Sequence, residues 1–258
     1  MRFAGLTAVC TMIAVAGTLV FDTKIFSRSL FRIFDDTEFS NEGMRQVMSV
    51  NPDDVTLYLP PLEEGKDFFE SVRDLSILRR EEVRKFVYLY LTTGRQYSIR
   101  AISRSQAYMD LILKIVQSHP GMPPELALLP LLESGFDPDA VSRSRAVGLW
   151  QFMRETSAML GLRTDGRVDE RRHVVKSTHA AIRHLNSLYR SLGSWELALA
   201  AYNGGSGTVS RAISRCGSRN FWEIRDMGIL PDETAEYLSR YAALMIIYQN
   251  RDSLGLSE

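Results

Sequence analysis

Cysteine and histidine are both scarce in this chain, whose 258 residues include two cysteines and four histidines. Cys10 lies in an apolar N-terminal run, which leaves Cys216 as the single cysteine of the rest of the chain. One cysteine cannot close a disulfide within the chain, and the scattered histidines lack the close spacing of metal ligands. We therefore predict no metal site and interpret Cys216, in the turn SRCGSR, as an incidental thiol.

An excess of charge of either sign is missing too. The 31 lysines and arginines balance the 31 aspartates and glutamates, so the formal net charge at pH 7 is zero. This balance argues against nucleic acid as a partner, although it leaves room for a local basic patch. With 45% hydrophobic and 24% charged residues, the composition is that of a globular protein that buries a core.

The N-terminus carries the one long uncharged run. After Met1 and Arg2, residues 3–21 read FAGLTAVCTMIAVAGTLVF. A basic residue before an apolar segment is typical of an export signal, and AVA at 14–16 is a candidate cleavage site. The run is also roughly as long as a bilayer span, so 1–21 is either a signal peptide or a membrane anchor. Both interpretations predict an exported protein of the periplasm or cell envelope; a cytosolic core helix is the third alternative.

The remaining chain divides into a linker and one helical body. Residues 22–67 are mixed in character and end in the Pro- and Gly-containing stretch NPDDVTLYLPPLEEG, which predicts a linker with at most one short helix. From Phe68 onward the apolar spacing is helical, and no stretch shows the alternation of a strand. We predict one all-α domain over 68–258.

Capping and breaking residues predict the helix boundaries. The apolar spacing in the stretch 103–124 predicts a helix that Pro120 and Gly121 stop. A later helix should end at Gly193, and Ser194 and Asp232 should be the N-caps of the two helices that follow them. Two helices should present apolar stripes, one of Val175, Ile182, Leu185, Tyr189 and Leu192, the other of Tyr237, Tyr241, Leu244 and Tyr248.

An acid ends the apolar stretch PPELALLPLLES, residues 123–134. Pro124 suits a first helical turn, and residues 126–132 are apolar on nearly every side apart from Pro130, which is typical of a buried helix. Glu133 then lies among the unpaired carbonyls of the helix end, away from water. Both effects disfavour the carboxylate and raise its pKa, which suits a general acid near neutral pH. A salt-bridged or solvated acid is the alternative.

Two later stretches supply polar and aromatic groups. SRSRAVGLWQFM contains Gly148 for a close backbone approach, Trp150 as an apolar body and Gln151 as an amide, and AAYNGG adds Tyr202 and Asn203. One acid with amides, hydroxyls and aromatic rings fits a sugar-binding cleft better than a metal or phosphate site. Each residue alone also has a structural reading, such as core packing for the tryptophan and a turn for NGG.

Four ordered segments resemble the motifs of the lytic transglycosylases with a goose-type lysozyme-like fold. They read LLPLLESGFDPDAVSRSRAVGLWQFM, DERRHVVKST, ALAAYNGGSGTV and LPDETAEYLSRY. The sequence is most similar to the membrane-bound lytic murein transglycosylase D group, from about Tyr88 to the end. The resemblance implies that 68–258 is a lysozyme-like catalytic domain with an N-terminal helical extension, and that it needs no cofactor.

The resemblance also implies a substrate and a mechanism. Peptidoglycan glycan strands would be cleaved at the β-1,4 bond between N-acetylmuramic acid and N-acetylglucosamine. Glu133 matches the catalytic residue, which acts as an acid on the leaving oxygen and then as a base on the muramic 6-hydroxyl, so that a 1,6-anhydro ring closes. The residues matched to substrate-binding or cleft positions are Ser134, Ser142, Gln151, Met153, Tyr202, Asn203 and Tyr237. A monomer is expected.

Two alternatives to this function stay open. A hydrolytic lysozyme would use a second carboxylate, for which Asp137 is the candidate, although it reads as a turn residue. A non-catalytic peptidoglycan-binding envelope protein would keep the cleft without turnover.

Arg154 replaces the proline that the family commonly has after the methionine of QFM. Together with Arg143 and Arg145 it is either solvated or a contact for carboxylates of the stem peptides.

Overall fold

The computed structural model describes residues 65–252 and 254–256. The apolar run 3–21, its candidate cleavage site, Cys10 and most of the 22–67 segment lie outside these residues. The division into 1–21, 22–67 and 68–258 therefore stays a prediction. Among the described helices, none combines the length and apolar character needed to cross a bilayer.

The described residues fold into α-helices joined by turns and short 3₁₀ segments. The 3₁₀ segments are Ser76–Arg79, Pro124–Leu128 and Glu170–Arg172. The α-helices are α1 Phe68–Arg73, α2 Glu81–Leu91, α3 Arg95–Ser105, α4 Met109–Gln117, α5 Leu129–Glu133, α6 Arg154–Met159, α7 Val174–Leu192, α8 Trp195–Gly204, α9 Ser206–Cys216, α10 Phe221–Asp226 and α11 Asp232–Gln249. Within these ranges β-pairing is limited to isolated bridges, such as Val141 with Val147, so the all-α prediction is confirmed.

Helix α11 forms the centre of the core. It packs along α2 and α8 and also contacts α5, while α7 packs between α8 and α4. Leu238, Tyr241 and Met245 are fully buried on it. The Tyr241 hydroxyl donates a hydrogen bond of 2.7 Å to the backbone carbonyl of Glu125. This bond fixes the segment before α5 against α11.

The cap at Ser194 and the stop at Gly193 are confirmed. The Ser194 side chain accepts a hydrogen bond from the Leu197 amide at 3.2 Å, and Gly193 adopts the left-handed conformation with φ of 80°. The cap at Asp232 is wrong, because α11 begins at Asp232 and Pro231 holds the N-cap position without a side-chain bond. As a first-turn acid, Asp232 instead interacts favourably with the helix dipole.

Three further expectations need correction. The helical stretch over 103–124 is divided, since α3 ends at Ser105 and α4 begins only at Met109. Tyr189 is 36% exposed and stacks flat against Trp195 with ring centroids 4.4 Å apart, so this end of the stripe packs against α8 at the surface. Tyr248 is only partly buried, because it lies at the last turn of α11 where the core ends.

Replacement of the N-cap serine of α8 tests this boundary. Ser194→Ala removes the acceptor of the Leu197 amide, and we expect the free energy of unfolding to fall by about 1 kcal/mol in urea denaturation. Ser187→Ala, at an exposed position within α7, is the control and should lose no stability because alanine favours a helix interior. Equal losses for the two variants would contradict the cap.

Candidate active site

The segment that carries Glu133 is a short buried helix at the edge of a cleft. A 3₁₀ turn of residues 124–128 leads into α5, whose first turn accommodates Pro130 because the first amides of a helix need no intrahelical acceptor. Leu129 and Leu131 are fully buried, and Glu133 is the last residue of α5. The chain then turns away through Gly135 and Phe136, both with positive φ.

The Glu133 carboxyl group lies in protein surroundings but remains accessible from the cleft. The Tyr237 hydroxyl donates a hydrogen bond to its Oε1 atom. Burial raises the pKa of Glu133 from 4.5 to about 7, and the charge of Glu233 acts in the same direction, whereas the Tyr237 hydrogen bond and the charge of Arg240 oppose them. The elevation expected at this helix end is thus found, with burial as its main cause. Near neutral pH both the acid and the carboxylate are populated.

The cleft has a volume of about 400 Å³ and draws its walls from several separate segments. It brings together four of the predicted site residues: Glu133, Ser134, Ser142 and Gln151. Its full lining is Tyr90, Tyr97, Leu132, Glu133, Ser134, Ala140, Val141, Ser142, Gln151 and Arg240. Tyr237 reaches Glu133 from behind this surface, through the hydrogen bond described above.

Tyr202, Asn203 and Met153 lie outside the lining of the cleft. The Tyr202 hydroxyl donates 2.8 Å to the backbone carbonyl of Trp150, which ties α8 to the cleft loop. Asn203 accepts 2.8 Å from the Thr234 hydroxyl and donates 3.2 Å to Glu233, which ties α8 to the first turn of α11. Met153 is 39% exposed at the start of α6.

The loop over 140–153 places Gln151 in the cleft through a constrained backbone. Gln151 has φ of 48°, and its side-chain amide donates 2.8 Å to the Gly148 carbonyl. The Ser134 hydroxyl donates 3.0 Å to the carbonyl of Leu149, so the segment that carries Glu133 and the loop are joined directly. Gly148 has φ of 84°, and a Cβ atom there would lie 2.1 Å from the Arg171 carbonyl oxygen.

Arg171, from the DERR segment, holds this loop in place. It is 9% exposed, and its guanidinium group bonds to Asp169 through Nε and Nη2. Its Nη1 atom donates to two loop carbonyls, those of Arg145 at 3.2 Å and Phe152 at 3.1 Å. The DERRHVVKST motif therefore supports the loop that contains GLWQFM. The charge of Arg171 is balanced by the nearby Asp169 of the same motif.

The aromatic and charged lining residues that sequence reasoning missed are Tyr90, Tyr97 and Arg240. The two tyrosine rings stack with centroids 6.1 Å apart, and Tyr97 donates to the Leu131 carbonyl. Arg240 donates 3.3 Å from Nε to the Tyr90 hydroxyl. Arg240 could have been found, because it lies three residues after Tyr237 and so on the same face of a helix. The tyrosines come from α2 and α3, and only tertiary packing brings them to Glu133.

The candidate second carboxylate, Asp137, lies in a turn next to the cleft. It forms an ion pair with Arg104 at 3.4 Å and accepts the amide of Asp139 at 2.9 Å. Asp137 is absent from the lining residues. Across the described residues, no three side chains of histidine, cysteine, aspartate or glutamate are grouped to hold a metal ion.

Matched glycine substitutions test the packing of the loop on Arg171. Gly148 and Gly161 have nearly the same φ, 84° and 79°, but a Cβ at Gly161 meets no atom within 4 Å. Both alanine variants should lose about 1 kcal/mol from backbone strain in urea unfolding. We expect Gly148→Ala to lose at least about 2 kcal/mol more, because backbone atoms must move to relieve the clash. Equal losses would show that the loop does not depend on this contact.

The raised pKa of Glu133 predicts a pH-dependent stability. Between pH 4.5 and about 7 the folded protein keeps a proton that the unfolded chain releases, so the wild-type fold loses stability as pH rises through this window. Glu133→Gln removes the buried charge. Its free energy of unfolding should exceed that of the wild type by on the order of 3 kcal/mol at pH 8 and by little at pH 4.

The control for this comparison is Glu155→Gln, which removes one negative charge at an exposed position of α6. Urea unfolding of the three proteins at pH 4, 6 and 8 gives the result. A gain for Glu133→Gln that is the same at every pH would contradict the raised pKa.

Comparison with known proteins agrees with the sequence motifs. Residues 110–225 match the family model of the transglycosylase SLT domain. The chain is 36% identical over 187 residues to membrane-bound lytic murein transglycosylase D of Escherichia coli K12, covering 70% of this chain and 40% of the relative. It is also 36% identical over 127 residues to a putative tributyltin chloride resistance protein of Alteromonas sp. strain M-1, covering 49% of this chain and 59% of that protein.

Among solved structures, the 70 kDa soluble lytic transglycosylase of Escherichia coli aligns with a TM-score of 0.49 and 15% identity, over 90% of this chain and 44% of that one. The chain spans 40% to 59% of the length of the curated relatives above. The resemblance seen in the four motifs is confirmed, because residues 110–225 match the family model of the transglycosylase SLT domain.

Proposed function

We propose that this chain is a peptidoglycan lytic transglycosylase. It cleaves the β-1,4 bond between N-acetylmuramic acid and N-acetylglucosamine and leaves 1,6-anhydromuramic ends. The observation that carries the proposal is Glu133, a carboxyl group with a pKa of about 7 in the wall of an open cleft. The membership of residues 110–225 in the transglycosylase SLT domain family supports the choice of substrate.

Glu133 serves first as an acid and then as a base. Its Oε1 atom accepts the Tyr237 hydroxyl, so we assign the transferred proton to Oε2. The protonated group delivers this proton to the leaving glycosidic oxygen. The resulting carboxylate, which Tyr237 stabilises through the same hydrogen bond, takes the proton of the muramic 6-hydroxyl as that oxygen attacks C1. A pKa near the working pH makes both transfers accessible.

A second carboxylate is lacking among the residues that line the cleft. Most glycosidases place two carboxyl groups on either side of the scissile bond. Here Glu133 is the one acid in the lining, while Asp137 is engaged with Arg104 and Glu233 with Asn203. The N-acetyl group of the muramic unit therefore stabilises the positive charge that develops at C1, and water is not consumed.

The placement of the protein in the cell envelope belongs to the same proposal. Residues 3–21 act as a signal peptide or as an inner-membrane anchor, and the body acts on peptidoglycan as a monomer. The relative from Escherichia coli K12 is itself named membrane-bound, which supports this location. Glycan strands are the partner, and neither a cofactor nor nucleic acid is needed.

The released fragments decide between transglycosylation and its alternatives. Full-length wild-type protein and its Glu133→Gln variant are incubated with purified peptidoglycan, and the soluble products are analysed by mass spectrometry. We expect anhydromuramic ends, one water lighter than reducing ends, from the wild type. The variant should fold and bind glycan but release fragments roughly 10²–10⁴-fold more slowly, because an amide cannot donate and recover the proton.

Asp137→Asn is the matched carboxylate control and should keep most of the turnover, since Asp137 pairs with Arg104 rather than lining the cleft. Reducing muramic ends, lost in the Asp137 variant, would instead establish a hydrolytic lysozyme. Glycan binding without release of fragments by the wild type would establish a non-catalytic binding protein.

A further inference from the structure

Arg240 is the one cationic side chain in the lining of the cleft. It lies on α11 one turn after Tyr237, so that the hydrogen-bond donor to Glu133 and this guanidinium group share a helix face. It is half-buried, and its charge lowers the pKa of Glu133. A positive charge is therefore fixed close to the reacting carboxyl group, although proton transfer to and from Glu133 does not require it.

The contacts of Arg240 leave most of its donors available. Its Nε atom donates 3.3 Å to the Tyr90 hydroxyl, and its guanidinium carbon lies 5.9 Å from the centre of the Phe86 ring. Glu236 is the acid whose charge acts on Arg240, but its contact within 4.0 Å is with Lys85. Among the described residues, no acid forms a salt bridge with Arg240, and its two terminal nitrogens have no hydrogen-bond acceptor.

A guanidinium fork with free terminal nitrogens is suited to a carboxylate. Two parallel N–H donors match two carboxylate oxygens, and such charge-assisted pairs are stronger than neutral hydrogen bonds. The stacked rings of Tyr90 and Tyr97 line the cleft together with Arg240.

The three arginines considered from the sequence are placed differently. Arg143, Arg145 and Arg154 are exposed and lie outside the cleft lining. Arg154 donates to the backbone carbonyl of Thr164 at 3.1 Å. A carboxylate that enters the cleft therefore meets Arg240 rather than this exposed set.

We propose that Arg240 binds a carboxylate of the substrate inside the cleft and makes the protein select anionic muramic acid units over neutral amino-sugar polymers. The inference rests on the proposed function and specifies which glycan the cleft prefers. The carboxylate comes from one of two sources on the glycan. It is either the lactyl group of a muramic unit without a stem peptide or a carboxylate of the stem peptide itself.

Binding of matched glycans to the full chain tests the proposal. The Glu133→Gln background is used because turnover in it is expected to be slow, and calorimetry measures the affinity for four probes. The first is glycan released by an amidase, with free lactyl carboxylates, and the second is the same glycan with those carboxylates converted to methylamides. The third carries intact stem peptides, and the fourth is neutral chitohexaose. We expect the free-carboxylate glycan, the stem-peptide glycan or both to bind roughly tenfold or more tightly than the methylamide glycan.

Substitution of Arg240 should remove this preference. Arg240→Gln is expected to bind the anionic and methylamide glycans equally while keeping its affinity for chitohexaose. Arg240→Lys keeps the charge without the fork and should retain part of the preference. Arg100→Gln, at an exposed position of α3, controls for the loss of one positive charge and should leave the preference unchanged. Circular dichroism confirms that each variant is folded.

Two results would overturn the inference alone. One is equal binding of the methylamide and both anionic glycans by the protein with Arg240 intact, and the other is a preference that persists in Arg240→Gln. If none of the four probes binds, the proposed function itself fails and the inference with it. The probe whose affinity falls in Arg240→Gln identifies the source of the carboxylate. A loss for the amidase-released glycan indicates the lactyl group, and a loss for the stem-peptide glycan alone indicates the peptide.

Discussion

The cost of holding a carboxyl group away from water is the constraint around which this site is built. Glu133 ends a helix in which Leu129 and Leu131 are fully buried, and the group that satisfies its Oε1 atom is the neutral hydroxyl of Tyr237. Burial and the nearby charge of Glu133 raise the pKa of Tyr237 and Tyr202 well above the usual value, so both phenols stay protonated as donors. A lysine or arginine bonded to the same oxygen would instead favour the ionised acid and reduce its capacity to give up a proton.

The loop that carries Gln151 into the cleft is held by hydrogen bonds from side chains to its backbone carbonyls. The loop over 140–153 contains a left-handed glutamine and a glycine pressed against the Arg171 carbonyl, a conformation that an isolated loop would not keep. It persists because bonds from three segments converge on it: Arg171 to Phe152, Tyr202 to Trp150, and Ser134 to Leu149. These bonds join three of the four sequence motifs, and the bond from Tyr237 to Glu133 connects the fourth to them.

The sequence was sufficient for the features that depend on local chemistry. The helical character and the cap at Ser194 follow from neighbours in the chain. The direction of the Glu133 pKa shift was predictable from the apolar residues before it, although burial in the complete fold is its main cause. Features that depend on distant segments were beyond it. Tyr90 and Tyr97 carry no local signal that distinguishes a cleft wall from a core face. Asp232 shows a different error, because its residue type predicted an N-cap. It instead lies in the first turn of α11, directly after Pro231 at the N-cap.

A single group that serves as acid and then as base needs a pKa set by opposing influences. Burial and Glu233 raise the pKa of Glu133, while Tyr237 and Arg240 lower it. Asn203, which does not line the cleft, takes part in this balance because its amide bonds to the Glu233 carboxylate and fixes the position of that charge. Thr234 in turn bonds to Asn203 and fixes the orientation of its amide. The motif containing Asn203 is therefore joined, through the first turn of α11, to the carboxylate of Glu233, whose charge raises the pKa of Glu133.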